Sequence, residues 1–191
     1  MAGNQLNLDT FHPILTNPSI SSFIIRHTFF LDIGPQDITT ISSAWPRLKS
    51  LYLCCDPMHA ASPNIGLQEL FPFALNCPDL EELGLFIDAN FSDTLAASDW
   101  RVPPTSFRKL RVLDVGKSAI AKGAERAVAR FLSLVCTPGC VIKYHDPSNK
   151  DNLVAEQWKV VNDMLPQLFS LRVWYERRMA YELEKAGNPC N

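Results

Sequence analysis

The groups best equipped for chemistry in this 191-residue chain are six cysteines, four histidines and the adjacent like charges of Glu81-Glu82 and Arg177-Arg178. Cys136-Thr-Pro-Gly-Cys140, followed by His145, offers two thiols and an imidazole at a spacing that could make half of a zinc site. No second pair at ligand spacing completes it, so the two cysteines read as small residues around a turn and no metal is expected. Glu81-Glu82 suggests paired carboxylates for acid–base work. Adjacent residues of a strand point to opposite faces, so these two do not converge. Arg177-Arg178 has the charge to hold a phosphate, but Glu176 and Glu182 flank it, the pattern of solvated helix surface. His12, His27, His59 and His145 are scattered with no nucleophile beside them, and the chain has no G-x-S-x-G elbow, no P-loop and no G-x-G-x-x-G. Neither an enzyme nor a cofactor is expected.

What remains is recognition chemistry. Tyr52, Glu82, Phe86, Asp114, Arg172 and Trp174 are the residues expected to bind a partner. Tyr, Trp, Phe and Arg are enriched at protein interfaces, and Glu82 and Asp114 supply charge beside them. Phe86 and Trp174 suit packing beneath a loop or a cap equally well. The partner is expected to be a protein. Net charge is −2 and basic residues do not cluster, which excludes the footprint of a nucleic-acid binder. No apolar run approaches the roughly 20 residues of a membrane span, and Met1 to Thr10 is polar, with no basic n-region before an apolar core. An intracellular protein with reduced thiols is therefore expected.

These residues are positioned by a repeat. Asn17-Pro18-Ser19-Ile20-Ser21-Ser22-Phe23-Ile24-Ile25, Trp45-Pro46-Arg47-Leu48-Lys49-Ser50-Leu51-Tyr52-Leu53 and Cys77-Pro78-Asp79-Leu80-Glu81-Glu82-Leu83-Gly84-Leu85 share one phrase, L-x-x-L-x-L after a proline. Phe107 to Val115 and Leu165 to Val173 give two more copies. The central apolar residues Phe23, Leu51, Leu83 and Leu113 are 28, 32 and 30 residues apart, and Leu171 follows after 58, which predicts a degenerate copy near Ile142. Each phrase reads as a short strand whose last positions alternate inward and outward. Its proline stops the preceding helix. Between the phrases, helices are predicted on the stripes Ile38, Ile41 and Trp45; Leu67, Leu70, Phe71 and Ala74; Ala124 to Val135; and Leu153 to Leu165, with a helical remnant at Phe11, Ile14 and Leu15. Residues 86–106 read as a long loop or distorted helix anchored by Trp100 and Val102.

One strand–helix unit of about 30 residues cannot bury its own apolar face, and stacking such units side by side can. The expected architecture is α/β: a single domain over residues 1–191, a solenoid of about six degenerate repeats over 11–173, and a C-terminal capping helix over 174–187. Its exposed strand face would carry Ser22, Ile24, Ser50, Tyr52, Glu82, Gly84, Val112, Asp114, Lys143, Ser170 and Arg172.

These phrases resemble leucine-rich repeats, and the copies at Trp45–Leu53 and Cys77–Leu85 are similar to the degenerate repeats of fungal F-box proteins, especially those of mushroom-forming fungi. The resemblance covers about Phe11 to Val173. It implies a protein-interaction module, the substrate-recognition part of an F-box-like ubiquitin-ligase receptor. The ninth position of the repeats holds Thr28, Asp56, Asp88, Ser118 and Glu176, where leucine-rich repeats carry Asn or Cys. The helical F-box itself is absent, so a ubiquitin-ligase adaptor is an expected partner only if an F-box exists upstream. The competing expectations are a truncated structural solenoid without independent activity and, less favoured, an unrelated α/β enzyme.

Overall fold

The computed structural model describes residues 6–59, 62–90, 105–145 and 153–187. A five-stranded, wholly parallel sheet forms from β1 (Ser22–Ile25), β2 (Ser50–Leu53), β3 (Glu82–Leu85), β4 (Val112–Asp114) and β5 (Val141–Lys143), in spatial order β1-β2-β3-β4-β5. The register pairs Phe23 with Leu51, Leu51 with Leu83, Leu83 with Leu113 and Leu113 with Ile142. Of the residues marked by the repeat spacing, Phe23, Leu51, Leu83, Leu113 and Ile142 thus lie in one row across the sheet.

The same local chemistry starts four of the five strands. An amide donates to the carbonyl three residues earlier at Ile20 to Asn17, Leu48 to Trp45, Leu80 to Cys77 and Cys140 to Thr137. The turn sends the first apolar residue of each phrase inward: Leu48, Leu80 and Cys140 are buried, as is Leu110 in the β4 copy. Alternation then turns Leu51, Leu53, Leu83, Leu85, Leu113 and Ile142 to the same side. Burying each leucine contributes roughly 1.5–3 kcal/mol.

Helices line that apolar side: α1 (Leu8–Leu15), α2 (Pro35–Ala44), α3 (Leu70–Asn76, preceded by a 3-10 turn at Leu67–Glu69), α4 (Glu125–Val135) and α5 (Leu153–Gly187). Each packs on its predecessor. Pro35 opens α2, where its missing amide costs nothing, and the Asp37 carboxylate accepts from the Gly34 amide at 2.8 Å. Phe11 and Leu15 of α1 are buried, and the Phe11, Phe23 and Trp45 rings form a chain with centroids 5.8 and 4.7 Å apart. Among the described residues no helix is long and apolar enough to cross a membrane.

The C-terminal expectation requires correction. Leu165–Val173 is not a sixth strand, and 174–187 is not a separate cap: both belong to the 35-residue α5. The phrase Leu165, Leu168, Leu171 is spaced at three, as compatible with a helix as with the repeat, and it continues the buried stripe Trp158, Val161, Leu165 and Phe169. Pro166 is tolerated within the helix, at the loss of one amide donor. The first half of α5 also closes the open edge of β5: Asn162 Nδ2 donates to the Ile142 carbonyl at 3.0 Å. The Trp158 indole donates to the Ser118 carbonyl at 2.7 Å. Trp100 and Val102, and most of the predicted 86–106 loop, lie outside the described residues.

Candidate functional site

Alternation that drives leucines inward leaves two rows of side chains on the opposite face of the sheet. Register aligns Ser22, Ser50, Glu82, Val112 and Val141 in one row and Ile24, Tyr52, Gly84, Asp114 and Lys143 in the next. The centre of this face is interlocked. Gly84 has no side chain, and a Cβ there would stand 2.2 Å from the Tyr52 ring. The ring therefore lies flat across β3. Its hydroxyl donates to Glu82 Oε2 at 3.4 Å, and Ser50 Oγ donates to the same oxygen at 3.3 Å.

Beyond the strand ends, Asp114 Oδ1 accepts from the Gly116 amide at 3.0 Å. Gly116 and Cys54 occupy the same repeat position, and both have φ of +49°. At Gly116 the glycine is also required by space: a Cβ would fall 1.7 Å from the Cys55 carbonyl oxygen. That close approach seats Asp56 between Lys117 Nζ at 3.1 Å and His145 Nδ1 at 3.3 Å. Two open depressions, of about 340 and 360 Å³, flank the arrangement and share Asp56 and Asp114. Arg26, His27, Tyr52 and Cys55 line the first, and Lys143, Tyr144 and His145 line the second.

The field at the centre is acidic. Burial, then the Glu82 and Asp114 carboxylates, push the Tyr52 hydroxyl up to about 12. Burial, then Asp114, push the Cys55 thiol up to about 12. A thiol held protonated is a poor nucleophile, so Cys55 and His145 do not form an activated pair. Glu82 and Asp114 themselves have no ion-pair partner among the described residues, in contrast to Asp56. Nor do three metal-binding side chains converge among the described residues. Cys136 and Cys140 are buried around the turn after α4, apart in role from His145, which faces Asp56.

Of the six predicted binding residues, the structure brings Tyr52, Glu82 and Asp114 together. Phe86 is buried just past β3, its ring 6.4 Å from that of Phe30, so it packs beneath the loops. Arg172, like Ser170, is on α5 and not on the strand face. Its Nη1 donates to the carbonyls of Ser133, Leu134 and Cys136 at 2.9, 2.9 and 3.0 Å, which makes it the C-terminal cap of α4. Trp174 is exposed on α5, edge-on to Tyr175 and beneath the Arg178 guanidinium. The role of Asp56 as the joint between β2 and the later strands was not anticipated. Its polar type at the ninth repeat position, with a glycine past β4, was the available signal.

Comparisons with known protein families, with curated proteins and with solved structures give no match for this chain.

Proposed function

We propose that the chain is a protein-interaction module, a short leucine-rich-repeat-like solenoid that captures a basic segment of a partner protein on the exposed face of its sheet. The observation that carries this reading is the central patch of Tyr52, Glu82 and Asp114, an aromatic ring beside two carboxylates that have no ion-pair partner among the described residues. An arginine or lysine laid on the ring would meet both carboxylates and gain cation–π attraction as well. The open depressions on either side would take the neighbouring side chains. Against the purely structural alternative, the first strand is closed on its core side by α1, with Phe11 and Leu15 buried. By the resemblance of its repeat phrases, the module serves as the substrate-recognition part of an F-box-like ubiquitin-ligase receptor.

The test is affinity capture from a host extract with the wild type and a Glu82→Gln, Asp114→Asn variant, followed by peptide arrays across each captured protein. The expected result is a partner that binds through an Arg- or Lys-containing segment, is lost on replacing that residue by alanine, and is lost in the variant. A partner retained in full by a variant with native circular dichroism refutes the assignment to this face.

A further inference from the structure

The sheet face that carries Tyr52, Glu82 and Asp114 is not acidic throughout. Arg26 follows β1 directly, two residues past Ile24, so alternation brings it out on the same side. Lys143 ends the row that holds Tyr52 and Asp114. Both residues are exposed, and neither has an ion-pair partner among the described residues. Lys143 is the register partner of Asp114 yet does not pair with it, and Asp114 Oδ1 accepts instead from the Gly116 amide at 3.0 Å.

The two depressions place these cations on opposite sides of the acidic centre. Arg26 lines the first with Tyr52, Lys143 lines the second, and Asp114 lines both. Asp56 also lines both, but Lys117 Nζ stands 3.1 Å from it. A cationic residue seated against Tyr52, Glu82 and Asp114 therefore sends its chain neighbours towards Arg26 on one side and Lys143 on the other. Adjacent strands lie about 4.8 Å apart, so the central strand β3 is about 10 Å from β1 and from β5. An extended chain covers that distance in about three residues. Acidic residues at that separation on both sides would complement Arg26 and Lys143. A run of basic residues would satisfy the centre but set like charge against both flanks, which discriminates against it.

Resting on the reading of this face as the binding site, we propose that its ligand is a protein segment with a single arginine or lysine between two acidic residues, each about three positions away, and that polybasic segments are rejected. The test is an array of extended peptides with a fixed central arginine, in which positions two to four on each side are varied among Asp, Glu, Asn, Lys and Arg. It is probed with the wild type, with Arg26→Glu, with Lys143→Glu, and with the Glu82→Gln, Asp114→Asn variant, each checked by circular dichroism. An exposed charge pair is worth up to about fivefold in a binding constant, so exchanging an acidic for a basic flank should weaken binding by about tenfold. The wild type is expected to select acids on both sides. Arg26→Glu should turn the preference to basic residues on one side, and Lys143→Glu on the other. Capture that needs the central arginine and the two carboxylates but is indifferent to the flanks, or favours basic runs, overturns this inference and leaves the proposed function standing. Flank preferences unchanged by either reversal overturn it likewise. Capture that survives replacement of the central arginine by alanine, or no capture by any form, overturns the reading of the face itself.

Discussion

Replacing Arg172 by methionine should destabilise the protein without touching partner capture. Helix α4 ends abruptly: Cys136 turns to extended backbone, with ψ of 158°, and its amide donates to the Leu132 carbonyl at 2.8 Å. The last turn of α4 has no basic residue and no glycine follows as a cap. Its final carbonyls are instead served from α5 by Arg172 Nη1, at 2.9, 2.9 and 3.0 Å. One nitrogen carries two hydrogens, so three contacts amount to about two bonds. Hydrogen bonds from a charged donor contribute roughly 1.5–3 kcal/mol each. The side chain is 18% exposed, so water reaches the freed carbonyls and the lower end applies. The expected loss for Arg172→Met is about 3 kcal/mol, a fall of about 6–12 °C in Tm for a domain of this size. Glu176, 60% exposed, should matter far less: Glu176→Gln is expected to cost about 0.5 kcal/mol or less. Urea unfolding followed by circular dichroism measures both. A variant as stable as wild type to within about 0.5 kcal/mol that no longer captures its partner would refute this reasoning. Arg172 would then face the partner and not α4.

Gly116→Ala should cost about 2 kcal/mol or more, because the left-handed backbone and a Cβ at 1.7 Å from a carbonyl oxygen both oppose it. Urea unfolding again measures it, and near-wild-type stability would mean the β2 and β4 loops are not in close approach. Gly84→Ala should behave oppositely: the Tyr52 ring at 2.2 Å can swing away, and alanine is the better strand residue, so stability should change by less than about 1 kcal/mol while partner capture is lost. Alkaline titration should weaken the fold, since burial pushes the buried Cys77 thiol up to about 12 from an ordinary 9.0. The folded state then holds a proton that the unfolded chain releases, so stability falls as pH rises from 9.0 towards 12, and Cys77→Ser should flatten that fall in a pH series of unfolding midpoints.

The sheet was legible because its register is a statement about sequence spacing. Phe23, Leu51, Leu83 and Leu113 can be aligned by eye, and even the degenerate copy could be placed at Ile142 by counting periods. Tyr52, Glu82 and Asp114 followed from alternation within those strands. The failure at Leu165–Val173 has the same origin as the success. A phrase that begins with apolar residues three apart satisfies both periods, and only the continuing stripe from Trp158 to Phe169 decides between them. Arg172 was misplaced for a different reason. The need it meets belongs to α4, 36 residues earlier at Cys136, and nothing next to Arg172 in the chain announces it.

Side-chain alternation separates two tasks that a globular core usually confounds. The row Phe23, Leu51, Leu83, Leu113 and Ile142 sets the fold, and the rows beside it are free to vary because their side chains leave from the opposite face. The exception is Gly84, whose missing side chain lets the Tyr52 ring cross from β2 onto β3 and reach Glu82. The proposed recognition on this face therefore rests on an absence as much as on the residues present. Helix α5 separates tasks along its length instead. Asn162 closes the edge of β5, Arg172 closes the end of α4, and beyond those two contacts Tyr175, Met179 and Leu183 stand exposed.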